Sequence, residues 1–302
     1  MGSLTDHHTV PNLGVPMPSD ERLVRVGDVE LCVQSFGREG HPPILLIAGN
    51  QSSMDWWEDG FCERLAATGR FVVRYDSRDT GRSTRFPVGD PGYSGDALVH
   101  DAVGVLDCLR LPRAHVVGIS SGGGIAQYLG VRDPDRVASL TLMSTTPVSP
   151  GAQHPDLPPP TEAVSRSFAE PLPDPDWSDR DAVVDYMVAL EHIFSGAAPV
   201  DPDRIRSVVT RSMERGGDMA SAVNHWLAAA TPLGARLGEI TAPTLVLHGR
   251  EDPLFPYPHA EALAAEIPGA HLHPLSGVGH QHPPPELWDE VVGAIAAHTA
   301  SD

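Results

Sequence analysis

Lysine is absent: all 21 basic residues of this 302-residue chain are arginine. That excludes a Schiff-base lysine and a lysine general base. Cysteine is scarce. Cys32, Cys62 and Cys108 are odd in number and far apart, so they make neither a disulfide framework nor a metal-ligand spacing. They are expected to be buried structural thiols in a reducing cytoplasm. No apolar run reaches the roughly 18 residues that a membrane span requires, and the opening residues lack the basic-then-apolar pattern of a secretory signal. Positive charge is in deficit, with 40 acidic residues against the 21 arginines and a formal charge of -19. Such a charge repels nucleic-acid phosphates and anionic lipid surfaces, so neither is an expected partner. The oligomeric state is not legible.

What is present is a rhythm. Short apolar runs alternate with longer amphipathic segments, the pattern of a mostly parallel sheet flanked by helices. Strands are expected as a pair within Arg22–Phe36, then at Pro43–Ala48, Phe71–Asp76, Ala114–Gly118, Val137–Met143, Pro243–His248 and Ala270–Leu275. Between 147 and 231 the rhythm breaks into a segment rich in Pro and Asp, with helical spacing near Arg180–Phe194, Asp203–Arg215 and Ala220–Ala229. The expected organisation is a disordered leader over 1–20, a core domain formed by 21–146 and 232–302, and a helical cap inserted at 147–231.

The sharpest chemical signal is Gly118-Ile119-Ser120-Ser121-Gly122. A serine on a tight strand-to-helix turn leaves no room for side chains two residues before and after it, which glycine supplies. An apolar strand precedes this pentapeptide and a helical segment follows. A serine hydroxyl needs a base near neutral pH. His280, in the glycine-rich loop "SGVGH" after the last strand, is the preferred candidate; His271, His273 and His282 are its neighbours. The base in turn needs a carboxylate to hold its tautomer. Asp252 ends "PTLVLHGRED", with Glu251 as a one-residue alternative. Serine, acid, base is the chain order found in α/β-hydrolases. Two backbone donors should face the developing oxyanion: the N–H of Ser121 and an N–H after the "PILLIA" strand, for which Asn50 is favoured.

Asp76–Ser83, "DSRDTGRS", interleaves Asp76 and Asp79 with Arg78 and Arg82 and reads as an internally salt-bridged loop supporting the site. Trp56, Trp57, Tyr186, Phe194 and Trp226, with Trp177, Met187 and Met213, are candidates to line an apolar substrate cavity.

Three strings carry a resemblance: "RYDSRDTGRST" at Arg74–Thr84, "VVGISSGGGIAQ" at Val116–Gln127 and "HGREDPLFP" at His248–Pro256. They resemble the α/β-hydrolase superfamily and, within it, are most similar to the actinobacterial aclacinomycin methylesterase group. The resemblance implies an α/β-hydrolase fold with an eight-stranded, mostly parallel sheet and a helical cap. It implies a serine esterase with Ser120, Asp252 and His280 as its triad, Asn50 and Ser121 as oxyanion donors, and no metal or cofactor. The substrate it implies is a bulky apolar small-molecule ester, such as the methyl ester of an aromatic polyketide. Many members of the group have Met after the nucleophile, where this chain has Ser121. Two other readings stay open on the same fold: a cofactor-free haloperoxidase or oxygenase, and a non-catalytic small-molecule binding protein.

Overall fold

The computed structural model describes residues 19–148, 156–196, 199–228, 230–233 and 237–300. Eight strands form one sheet: β1 (Arg22–Val26), β2 (Val29–Phe36), β3 (Pro43–Ile47), β4 (Phe71–Tyr75), β5 (Ala114–Ile119), β6 (Val137–Met143), β7 (Thr244–Gly249) and β8 (His271–Leu275). Their order is β1-β2-β4-β3-β5-β6-β7-β8. Pairing is antiparallel from β1 to β4 and parallel from there to β8.

Alternation along the strands makes two cores. Leu45 and Ile47 of β3 face one side and Ile44 and Leu46 the other, because successive side chains leave a strand on opposite faces. The first side is covered by α2 (Gly95–Cys108), α3 (Ser121–Arg132) and α7 (Pro258–Glu266), through residues such as Val105, Leu129 and Leu263. The second is covered by α1 (Asp59–Ala67) and α8 (Trp288–His298), through Phe61, Leu65, Val291 and Ile295.

Between β6 and β7 the described chain forms α4 (Glu162–Ala169), α5 (Arg180–Phe194), α6 (Pro202–Gly216) and a 3-10 turn at Ala220–Trp226. The helix at α4 is additional to the expected ones, and Ala220–Trp226 is 3-10 where an α-helix is expected. Asp179 and Asp201 cap α5 and α6, each accepting two backbone N–H groups of the first turn. The expected leader lies outside the described residues except for Ser19 and Asp20; the Ser19 N–H bonds to the Ser35 carbonyl at 2.8 Å. Cys32 and Cys62 are buried as expected, but Cys108 is exposed, at the last turn of α2.

The helical segment is tied to the sheet by charge. Arg204, Arg211 and Arg215 recur at helical spacing along α6, on the face turned to the core. Arg215 reaches Asp76 at 2.7 Å, Asp55 at 2.6 Å and Glu21 at 2.5 Å. Arg211 reaches Asp59 at 2.6 Å, and Arg204 reaches Glu58 at 2.7 Å. The Asp55 and Asp76 side chains are fully buried. Burial pushes the Asp55 carboxyl up, and the Arg215 charge offsets only part of that. Removing one partner of such a cluster leaves an uncompensated buried charge. Arg215→Ala is therefore expected to cost about 3–5 kcal/mol, read as a lowered urea midpoint in equilibrium unfolding.

Candidate active site

The carboxyl ends of β3, β4, β5, β7 and β8 converge on one edge of the sheet, where ligands gather in open parallel sheets. Ser120 leaves β5 with φ 53° and ψ -120°, a conformation that side chains rarely adopt. Its N–H bonds to the Met143 carbonyl at 2.9 Å, and its carbonyl accepts from the Thr145 hydroxyl at 2.8 Å. The flanking glycines are required by contact. A Cβ on Gly118 would overlap the Gly122 carbonyl, and one on Gly122 would overlap the carbonyls of Ile47 and Ala48. This tight turn holds the Ser120 hydroxyl above the sheet edge.

His280 Nε2 lies 2.9 Å from Ser120 Oγ, and His280 Nδ1 lies 2.9 Å from Asp252 Oδ2. A carboxylate only accepts, so Nδ1 carries the proton and Nε2 is left to accept from the serine hydroxyl. Asp252 is 3% exposed. Its other oxygen accepts from the N–H groups of Leu254 (2.9 Å) and Phe255 (2.8 Å). Burial raises the Asp252 carboxyl, but the facing His280, its hydrogen bond, His248 and the Phe255 N–H together hold it below the usual range. The structure thus brings Ser120, His280 and Asp252 together in one relay. Among the alternatives, Glu251 is exposed, His271 is exposed and His273 bonds to Glu290 of α8 at 2.9 Å. His282 is buried between Trp56 and Trp57, its pKa pushed down to about 3 by burial and by the charges of Arg204 and His280.

The loop carrying His280 rests on α5. The His280 N–H bonds to the Phe194 carbonyl at 2.6 Å. Gly279 makes that approach possible, because a Cβ there would overlap the Phe194 carbonyl oxygen and the Ser195 backbone. From α6, Arg204 donates to the Pro283 carbonyl at 3.2 Å and fixes the other end of the loop.

Asn50 and Gly49 border the cavity beside Ser120, and a side chain on Gly49 would extend toward the Ser120 side chain. Ser121 opens α3, where its N–H has no helical carbonyl to bond to. Gln51 follows with φ 60°. Its N–H donates to His225 Nδ1 at 3.0 Å, and His225 Nε2 lies 2.7 Å from the Arg78 carbonyl. Accepting on one side and donating on the other, His225 is a neutral bridge between two site loops. Burial also lowers its pKa. Sequence reasoning missed His225 and the contact that Gln51 makes with it.

The loop over Asp76–Ser83 differs from expectation. Its charges pair with other elements: Asp76 with Arg215, Arg78 with Asp101 at 2.7 Å, and Arg82 with Glu21 at 3.1 Å. Asp79 accepts from the Phe86 N–H at 2.7 Å, the Tyr93 hydroxyl at 2.7 Å and the Asn224 amide at 3.1 Å. Within the turn the Asp76 carboxylate accepts the Arg82 backbone N–H at 3.0 Å, while the side-chain charges pair outward, so the loop serves as a hub between α2, α6 and the 3-10 turn.

Two cavities adjoin. One of about 130 Å³ lies at Ser120 and is bordered by Trp56, Phe194 and Trp226, among others. The second, of about 760 Å³, shares Gln51, Leu190, Phe194 and Trp226 with it and adds Phe168, Trp177 and Tyr186. Tyr186 therefore borders the outer cavity, away from Ser120. Trp57 borders neither. It is 1% exposed and packs on Phe61 in the core: the 3-10 turn Met54–Trp56 ends before it, and its own backbone, with φ -86° and ψ 79°, leaves the helical path that places Trp56 at the cavity. Met187 borders the inner cavity, whereas Met213 packs with the residues joining α5 and α6. Among the described residues, no group of three or more His, Cys, Asp or Glu is arranged to hold a metal ion, and no helix is long and apolar enough to cross a membrane.

A sequence profile of the family described as "alpha/beta hydrolase fold" matches residues 42–281. The chain is 34% identical to rhodomycin D methylesterase DauP of Streptomyces sp. (strain C5), over 92% of this chain and 97% of that protein. It is 33% identical to rhodomycin D methylesterase DnrP of Streptomyces peucetius, with the same coverage. Among solved structures, a hydrolase from Pseudomonas aeruginosa PA01 superposes with a TM-score of 0.67 at 26% identity, over 93% of this chain and 99% of that one. The enol-lactonase from Burkholderia xenovorans LB400 superposes with a TM-score of 0.69 at 24% identity, over 92% and 99%, a likeness of fold.

Asp252→Asn keeps the shape of the relay and loses its charge. It is expected to lower turnover about 10⁴-fold if the relay is used as drawn. A carboxyl held low in the fold adds stability that is complete above its ordinary value of about 3.9 and is lost as pH falls through the folded value. Urea midpoints between pH 2 and 7 should therefore differ most between wild type and Asp252→Asn above about pH 4, with the gap narrowing below it.

Proposed function

The chain belongs to the α/β-hydrolase family, and on that premise we propose that it is a serine-dependent carboxylic ester hydrolase. The observation that carries the reading is the unbroken relay from Ser120 Oγ through His280 to Asp252, 2.9 Å at each step. In this mechanism the Ser120 hydroxyl attacks the ester carbonyl while its proton passes to His280 Nε2. Asp252 stabilises the imidazolium that forms and holds the ring in place. The carbonyl oxygen becomes an oxyanion facing the N–H groups of Asn50 and Ser121. The alcohol leaves with the proton returned by His280. Water then repeats the sequence on the acyl-enzyme and frees the acid. The reaction needs no metal or organic cofactor.

The two adjoining cavities support a substrate with a bulky apolar acid portion. Space beside Ser120 is limited, whereas the outer cavity is several times larger and walled by aromatic side chains. Phe168 and Trp226 stand at its rim, about half exposed, with ring centroids 6.1 Å apart. Similarity to two methylesterases supports a methyl ester, with methanol as the leaving group. The helical segment between β6 and β7 would then act as a cap whose helices select the acid.

Hydrolysis of p-nitrophenyl butyrate by wild type, Ser120→Ala and His280→Ala tests the reading. Each variant is expected to lose at least about 10⁴-fold in kcat with unchanged folding by circular dichroism. Residual activity within tenfold of wild type in Ser120→Ala would rule the mechanism out. Methanol release should also be faster from methyl esters of polycyclic aromatic acids than from methyl acetate.

A further inference from the structure

One carboxylate borders the cavity at Ser120 without belonging to the relay. Glu191, on α5, is half-buried among Met187, Leu190, Phe194 and Leu254. It lies on the inward face of its helix, four residues after Met187 and three before Phe194. Its neighbour in charge, Arg204, is committed elsewhere, paired with Glu58 and donating to the Pro283 carbonyl. Burial pushes the Glu191 carboxyl up to about 7, and the charges of Arg204 and His280 only moderate the rise. A carboxyl so placed carries a desolvation cost that packing alone does not explain.

The same cavity has further polar groups without protein partners. Trp56 and His282 border it at 5% and 8% exposure. Trp56 Nε1, His282 Nε2 and the Gln281 side-chain oxygen have no hydrogen-bond partner among the described residues. These atoms, one fixed donor, one fixed acceptor and one nitrogen that can serve as either, are themselves almost unexposed and belong to side chains that wall the cavity. The Glu191 carboxyl is the group a ligand hydroxyl can reach, and a hydroxyl can donate to it. An apolar group would leave it unpaired.

We propose that Glu191 is a specificity-determining residue that takes a hydroxyl on the acid portion of the ester, close to the reacting carbonyl. The hydroxyl donates to the Glu191 carboxylate, which borders the cavity that holds Ser120. This rests on the cavity at Ser120 being the acyl site.

The test uses matched pairs: methyl mandelate against methyl phenylacetate, and methyl 3-hydroxy-3-phenylpropanoate against methyl 3-phenylpropanoate. Wild type is expected to favour the hydroxy ester in at least one pair. In Glu191→Met the ratio of kcat/KM, hydroxy over deoxy, should fall about 10- to 100-fold, the range for a hydrogen bond to a charged group. Glu191→Gln, which still accepts, should keep part of the preference. Equal loss on both members of each pair, with the ratio unchanged, would make Glu191 merely structural and overturn the proposal. Calorimetric binding of the same pairs to Ser120→Ala separates this result from the mechanism. Preferential binding of the hydroxy ester that Glu191→Met abolishes upholds the subsite even if wild type hydrolyses neither ester. Absence of that preference overturns it even if wild type hydrolyses both.

Discussion

The backbone hydrogen bond from the His280 N–H to the Phe194 carbonyl joins the two parts of this molecule at the point where chemistry is proposed. His280 sits on a loop between β8 and the last helix, and a loop alone does not hold an imidazole to within hydrogen-bond reach of two partners. Here the loop is clamped. Asp252 takes the ring from below, Phe194 takes the backbone from the side, and Arg204 takes the carbonyl of Pro283 three residues on. Gly279 lets the two backbones meet. The contact that orients the ring also sets α5 against the cavity, bringing Phe194, Leu190 and Glu191 to Ser120. The proposed relay and the wall of the cavity are therefore joined through one short stretch of main chain.

Charge supplies the rest of the junction. A chain without lysine uses guanidinium groups throughout, and their fork shape lets one side chain serve several carboxylates. Arg215 does so with Asp76, Asp55 and Glu21, which come from the loop after β4, the turn before α1 and the approach to β1. Such clusters gain little net stability over a hydrophobic replacement, but they penalise strongly any arrangement that leaves one member unpaired. The result is a helical segment held in one register on the sheet.

Much of the fold was legible because strands and elbow are local patterns. "PILLIA" and "PTLVLH" are apolar throughout, as strands covered on both faces must be, and Gly118 and Gly122 flank the serine at the spacing the turn demands. Asp252 and His280 were singled out by their place after β7 and β8, and the fold sets them 2.9 Å apart. What escaped depends on which way a side chain turns. Trp56 and Trp57 are neighbours in sequence, yet one faces the cavity and the other the core. The acids and arginines of Asp76–Ser83 suggested partners within the loop, but the partners lie in α2, α6 and the approach to β1. Two signals were available and went unread. Arg204, Arg211 and Arg215 repeat at helical spacing with distant acids as partners, and Glu191 interrupts the apolar stripe of Met187, Leu190 and Phe194.

The central claim is that Ser120 is a nucleophile activated by His280. It is tested most directly by exposing the protein to a fluorophosphonate, digesting it and locating the adduct by mass spectrometry. The account predicts a single adduct on the peptide containing Ser120, formed rapidly in wild type and slowed by orders of magnitude in His280→Ala. An unmodified Ser120, or a labelling rate indifferent to His280, would contradict it.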